Sequence, residues 1–316
     1  MLSRALGASG LSIAPIVLGG NVFGWTIDQK QSFEVLDAFT GHGFNCIDTA
    51  NVYSVWKPGN HGGESETILG NWFKHSGKRD KVILITKVGM PMTPGIKGLR
   101  KNYILEQVED SLRRLQTDYI DLYFSHKVDK ETPVEETLEA YALLIDQGKV
   151  RAIGASNYRG PALTAAIESA DKNKLPAYTV LQPEYNLYDR QNYEQDLAPV
   201  AAQYKLGVIP YASLGSGFLT GKYKKLEDSK RVNREGRLAE YFTPRGEKIL
   251  KALDQLSTDM GVTQASLALA WLLAQPTITA PIASATKPSQ LESMYVAADL
   301  KLDKATLDKL NEASAY

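Results

Sequence analysis

Eight short apolar runs, each followed by a stretch with helical spacing, constrain this chain more than any other feature of its sequence. The runs are Ile16–Leu18, Phe44–Asp48, Val82–Thr86, Tyr119–Ser125, Val150–Ala155, Thr179–Leu181, Val208–Tyr211 and Ile278–Ile282. Continuous apolar runs of this length read as buried strands. Asp28 is placed to cap a first helix through Phe39, with Phe33, Leu36, Ala38 and Phe39 on its apolar face. Further helices are expected over Glu64–Lys74, Asn102–Leu115, Pro133–Asp146, Pro161–Ala170, Tyr193–Tyr204, Gly246–Leu256, Thr263–Ala274, Pro288–Ala297 and Leu302–Ala313. A loosely alternating segment from Ser3 to Ile13, turning at Gly7–Gly10, predicts a β-hairpin before the first run. A long polar segment, Leu214–Pro244, carries scattered Lys and Arg. The pattern is that of an α/β protein. It predicts a parallel (β/α)8 TIM barrel with an N-terminal β-hairpin and extra C-terminal helices. A doubly wound open sheet also alternates strand and helix and is the competing architecture.

At 316 residues the chain can bury one large barrel or two smaller cores. No composition shift, low-complexity tract or Pro/Gly-rich linker divides it, so a single domain over residues 1–316 is expected. Lys plus Arg and Asp plus Glu both number 36, and the formal charge is zero. That balance argues against a general attraction to nucleic acid or anionic membrane. Leu11–Leu18 is apolar and follows Arg4, but Pro15 breaks it and Gly19-Gly20 closes it, unlike a signal peptide. Nothing approaches the roughly 18 consecutive apolar residues of a membrane span. The lone cysteine, Cys46, excludes an internal disulfide and suits a reducing compartment. A cytoplasmic protein is expected, and Cys46, inside an apolar strand, reads as a packing residue.

In a barrel, reactive groups come from the C-terminal ends of different strands. Those ends carry Asp48 and, five residues on, Tyr53; then Lys87; then His126; then Ser156-Asn157, Gln182, and Tyr211 with Ser213. Singly, each has a plain reading, since a lysine there is usually solvated and a histidine usually a loop residue. Together they suit one chemistry. A lysine ammonium beside a tyrosine would pull the phenol's pKa down toward a useful range. Asp48 would pair with Lys87 and keep it charged. His126 could donate to a carbonyl oxygen and orient it against Tyr53. The set suits protonation of a developing alkoxide as hydride arrives. With one cysteine and four histidines, none paired at ligand spacing, no metal site is expected.

The ordered series D-T-A-x-x-Y, I-T-K, a strand closing in H-x-x-D, G-x-S-N-Y, Q-x-E-Y-N, P-Y-A-S-L-G-S-G-F-L-T-G-K-Y and P-I-A-S-A-T-K-P-S-Q-L resembles the aldo-keto reductase superfamily. It covers essentially the whole chain. It most resembles the bacterial branch related to potassium-channel β subunits and to general-stress-type oxidoreductases. The resemblance implies an NAD(P)H-dependent oxidoreductase that reduces an aldehyde or ketone to an alcohol. Tyr53 would be the proton donor, with Asp48 and Lys87 tuning it and His126 positioning the carbonyl. It also implies an extended nicotinamide cofactor, NADP(H) rather than NAD(H), bound without a Rossmann fold. Gly20 and Asn21 would line its bed. Ser156, Asn157 and Gln182 would hold the carboxamide, with Tyr211 stacked on the nicotinamide. Ser213, Leu214, Gly217 and Lys222 would close over the pyrophosphate, and Ser284, Thr286, Lys287 and Gln290 would surround the 2′-phosphate. Ser293-Met294 departs from the Glu-Asn that many relatives carry for the adenine.

Gly215-Ser216-Gly217-x-x-x-Gly221 imitates a dinucleotide fingerprint, but it opens into a polar run, not an apolar helix. Trp25 and Trp56 are candidates for the wall of a small-molecule carbonyl pocket, with core or surface packing the competing role. The insertion Ser54–Gly63 is longer than the short glycine turn common in the family. Two other functions stay open at this level. One is a cofactor-binding regulatory subunit, although channel β subunits carry asparagine where this chain has His126. The other is an NAD-dependent sugar or alcohol dehydrogenase. Oligomeric state is not readable.

Overall fold

Strands β3 (Val17–Gly19), β4 (Cys46–Asp48), β5 (Ile83–Val88), β6 (Ile120–Ser125), β7 (Val150–Ser156), β8 (Val180–Gln182), β9 (Gly207–Val208) and β10 (Ile282–Ala283) run parallel. Their order is β10-β3-β4-β5-β6-β7-β8-β9. The two outer strands meet through backbone bonds from Thr279 N to Val208 O at 2.8 Å and from Ile282 N to Pro210 O at 2.9 Å. The sheet therefore closes into a (β/α)8 barrel. The computed structural model describes residues 3–92, 98–229 and 235–316.

The hairpin forms as expected from β1 (Arg4–Ala5) and β2 (Ser12–Ile13). It seals the N-terminal mouth of the barrel. Leu6 and Ile13 are fully buried among Val17, Cys46, Ile85, Leu122, Phe124, Val180 and Ile209, which fill the interior. Gly7, at φ +56°, is pressed so close that a Cβ would lie 2.3 Å from Gly207 N. Only glycine fits such a left-handed contact.

The last two strands are shorter than their apolar runs. Pro210 and Pro281 have no N–H to give a ladder, so β9 stops at Val208 and β10 begins only at Ile282.

Helices α1 (Gln29–Gly41), α2 (Glu64–Ser76), α3 (Lys101–Leu115), α4 (Val134–Asp146), α5 (Gly160–Asn173) and α6 (Ala198–Gln203) follow β3 to β8 in turn. Asp28 caps α1 in a reciprocal box with Gln31. The stripe that α1 buries is Ser32, Val35, Leu36 and Phe39; Phe33 and Ala38 lie at its margin, half-buried. The helix predicted over Tyr193–Tyr204 divides into a wide turn, Tyr193–Leu197, and the short α6.

Beyond β9 the polar segment is not one long loop. It holds α7 (Leu226–Ser229) and α8 (Glu235–Ala239), fastened by buried Leu238 and Tyr241. Its residues 230–234 lie outside the described residues. Then come α9 (Pro244–Met260), α10 (Gln264–Leu273), β10, α11 (Glu292–Asp299) and α12 (Lys304–Ala313). The helix expected from Pro288 begins as a tight turn, Pro288–Gln290, before α11.

One helix contact sets a steric limit. A Cβ on Gly70 of α2 would lie 2.1 Å from Arg114 O and 2.8 Å from Leu115 C, both backbone atoms of α3. Backbone cannot swing aside as a side chain can. Gly70→Ala is therefore expected to destabilise the barrel by about 1–3 kcal/mol. Thermal denaturation should show a lowered midpoint, and an unchanged midpoint would mean that the α2–α3 contact yields easily.

Candidate active site

Period-two alternation explains how the strand-end residues meet. The interior positions Val17, Cys46, Ile85, Phe124, Val180, Ile209 and Ile282 all pack inside the barrel. Two residues further along the chain stand Gly19, Asp48, Lys87, His126, Gln182, Tyr211 and Ser284, the next positions of the same alternation, with His126, Tyr211 and Ser284 just past the ends of β6, β9 and β10 at the C-terminal mouth. The site is the next layer of the barrel interior, polar where the layers below are apolar.

At its centre Lys87, fully buried, reaches three oxygens. Its Nζ lies 2.7 Å from the Asp48 carboxylate, 2.8 Å from Tyr53 Oη and 2.8 Å from the backbone carbonyl of Thr49. Tyr53 Oη donates to Asp48 Oδ2 at 3.0 Å, and Gln182 Nε2 donates to Asp48 Oδ1 at 2.8 Å. Asp48 is 1% exposed, so a buried charge pair is surrounded by donors, the condition under which such a pair is tolerated. Tyr53 is half-buried. Its hydroxyl turns inward, while its ring lies 5.9 Å from His126, nearly edge-on, and 6.0 Å from Trp56.

The electrostatics correct one expectation. Burial, and then the charge and hydrogen bond of Asp48, push the Tyr53 phenol well above its ordinary range, not below it. Lys87 is close enough to lower it, but Asp48 stands equally close and burial penalises the phenolate. Burial lowers Lys87, and Asp48 opposes that shift. His126 is held well below the usual histidine range by burial and by Lys87, so it is neutral at physiological pH. Its buried Nδ1 has no hydrogen-bond partner among the described residues.

On the neighbouring strands, Ser156 Oγ donates to Gln182 O at 2.9 Å, and Asn157 Nδ2 donates to His126 O at 2.8 Å. Asn157, left-handed at φ 55°, accepts from Tyr211 Oη at 2.8 Å. Across the mouth, Ser284 Oγ donates to Asn21 Oδ1 at 2.5 Å. Gly20 is buried, and a Cβ there would lie 3.0 Å from both Asp48 O and Ser65 Oγ.

These residues lie within a family whose model matches this sequence, the aldo/keto reductase family, over residues 15–315. The chain belongs to the aldo/keto reductase family. With the family it is an oxidoreductase. It is 36% identical to an oxidoreductase named YrpG from Bacillus subtilis, over 97% of this chain and 94% of that protein. It is 37% identical to the aldo-keto reductase YhdN of the same organism, over 91% and 84%. A probable voltage-gated potassium channel subunit beta from Arabidopsis thaliana is 32% identical over 99% and 96%. Among the described residues no group of His, Cys, Asp or Glu is placed to hold a metal, and no helix is long and apolar enough to cross a membrane.

In this aldo/keto reductase the remaining rim residues lie on two segments. Ser213 is buried and donates to Pro210 O, while Leu214 and Gly217 are half-buried and Lys222 is exposed. Ser216 and Gly217 are both left-handed, so the segment makes tight turns, not the helix start of a dinucleotide fingerprint. Lys287 and Gln290 are exposed, Thr286 is half-buried, and Gln290 Oε1 accepts from Thr286 N. Met294 is 2% exposed, a packing residue of the outer core, and Ser293 bonds Thr263.

Three parts of the site have no sequence signal. The carbonyl of Thr49 is a backbone atom. Gln182 spends its amide N–H on Asp48, which no motif announces. Behind Lys87, Thr86 points outward and donates to buried Glu66 at 2.6 Å, which Arg114 neutralises at 2.7 Å. Such a set appears only when α2 and α3 pack on β5.

Proposed function

We propose that the protein reduces an aldehyde or ketone to the corresponding alcohol using NADPH, with Tyr53 as the proton donor. The observation that carries this reading is the buried contact set in which Lys87 Nζ sits 2.8 Å from Tyr53 Oη and 2.7 Å from Asp48. When bound, the nicotinamide cofactor supplies a hydride to the carbonyl carbon. The Tyr53 hydroxyl then gives its proton to the oxygen on which negative charge collects. Its raised pKa keeps it protonated until that moment, and an alkoxide is basic enough to take the proton all the same. The Lys87 ammonium faces the negative charge left on Tyr53, and Asp48 balances Lys87. Neutral His126 offers a ring N–H to the carbonyl oxygen and holds it against Tyr53.

The surrounding groups fit a nicotinamide dinucleotide on their own chemistry. Asn157, bonded to His126 O and Tyr211 Oη, and Gln182, whose N–H is bonded to Asp48, bring amides to one side of the mouth. Left-handed Gly217, where a Cβ would crowd Lys222 at 3.2 Å, keeps the backbone open beside a cation. Lys287, with Ser284, Thr286 and Gln290, supports NADPH over NADH.

The pH dependence follows from these directions. Neutral His126 and protonated Tyr53 give a reduction rate that stays flat through pH 6.5 and falls only in the alkaline range, as Tyr53 loses its proton. A kcat profile for aldehyde reduction checks this, and a break near the ordinary histidine pKa would remove His126 as a neutral donor. Tight NADPH binding without oxidation of NADPH by any of a broad carbonyl panel would favour a regulatory role instead.

A further inference from the structure

The insertion after Tyr53 is fastened more firmly than a surface loop requires. Ser54 sits left-handed at φ 76°, and its buried Oγ donates to Phe23 O at 2.7 Å. Asn60 Nδ2 donates to Gly24 O at 3.1 Å and back to Ser54 O at 2.9 Å. Lys57 Nζ also reaches Gly24 O, at 3.4 Å. At the far end the Glu64 carboxylate accepts from His61 N at 2.7 Å and Gly62 N at 3.0 Å. Gly24 itself is left-handed, and a Cβ there would lie 2.9 Å from Glu64 Cβ, so the loop bearing Trp25 is pressed on the same helix start.

The polar side chains Asn60 and Lys57 are thus turned to holding the loop. What it presents beside the Tyr53 ring is Trp56, 46% exposed and edge-on to Trp25 at 5.5 Å and 85°. Together with Tyr53, 6.0 Å away, the two indoles make an aromatic corner. Trp56, half in water, stands with half-buried Trp25 as an aromatic surface that a bound ring would cover. A flat ring gains edge and face contacts in such a corner. A sugar would need polar partners there, and of the four hydrogen-bonding side chains of the loop, Ser54 is bound to Phe23 O and Asn60 and Lys57 to Gly24 O.

We propose that the fastened loop 54–63 is the specificity element of the site, and that its Trp25–Trp56 corner takes the aryl group of an aromatic aldehyde or ketone in preference to a sugar carbonyl. The inference rests on the reductase reading above. Trp56 would touch substrate, and Asn60 would act through it as a positioning residue.

The test compares NADPH-dependent reduction of nitrobenzaldehyde, propanal and D-xylose by the wild type, Trp56→Ala, Trp56→Phe and Asn60→Ala. Calorimetry with benzamide, an unreactive aryl carbonyl, on the NADPH-loaded proteins gives a readout without turnover. The wild type is expected to prefer nitrobenzaldehyde to D-xylose. Trp56→Ala should lower kcat/KM for nitrobenzaldehyde about tenfold more than for propanal, mostly through KM, and weaken benzamide binding. Trp56→Phe should restore most of the ratio. Asn60→Ala should shift the same ratio by a smaller factor, again in KM and not in kcat. Equal losses on nitrobenzaldehyde and propanal, or a wild-type preference for D-xylose, would overturn the specificity assignment and leave the reductase reading standing. Turnover of none of the three by the wild type would overturn both.

Discussion

Tyr53→Phe should lower aldehyde reduction by about 10²–10⁴-fold, the range a positioned general acid contributes. The change removes one oxygen and little else. Lys87 keeps Asp48 and the Thr49 carbonyl as partners, and the ring keeps its contacts with Trp56 and His126. The fold is therefore expected to survive, and bound NADPH should still quench tryptophan fluorescence. Steady-state oxidation of NADPH by an aldehyde measures the loss. A Tyr53→Phe variant that retains wild-type turnover would sink the assignment of the acid.

Lys87→Met has a second, separable consequence. It leaves Asp48 buried without its counterion, with Tyr53 and Gln182 donating to it among the described residues. Breaking a buried pair from one side costs about 3–5 kcal/mol, because a charge is left without its counterion. Activity should fall as well, since the charge left on Tyr53 after proton transfer would face no cation. Adding Asp48→Asn to Lys87→Met removes the stranded charge. Chemical denaturation should then show part of the stability recovered, while NADPH oxidation stays low. If Lys87→Met unfolds at the wild-type midpoint, the pair does not carry the buried charge balance described above.

Much of this arrangement was legible because strands alternate. Once Cys46, Ile85 and Phe124 are taken as interior positions, Asp48, Lys87 and His126 must point the same way two residues later. The Asp28 cap and the hairpin turn at Gly7–Gly10 were readable for a similar reason, as local geometry that few residue types satisfy. The short β9 and β10 were not read from apolarity, because what limits them is the missing N–H of Pro210 and Pro281. The buried stripe of α1 shifted to Ser32 and Val35, since composition does not say which of two adjacent faces meets the sheet.

The direction of the Tyr53 shift shows where a pairwise reading fails. A neighbouring lysine was visible in the sequence, and alone it would lower the phenol. Burial and the equal approach of Asp48 depend on three strands and a loop closing on one point, and they reverse the sign. The same holds for Asn60, an ordinary loop residue until its amide is seen on Gly24 O. By itself the sequence determined the order of strands and helices and the residue types at the strand ends, because both follow from periodicity along single strands. Only the tertiary structure decided the closure of the barrel, the direction of the Tyr53 shift and the fastening of the loop beside Tyr53, because dielectric and cross-loop hydrogen bonds exist only between segments distant in the chain.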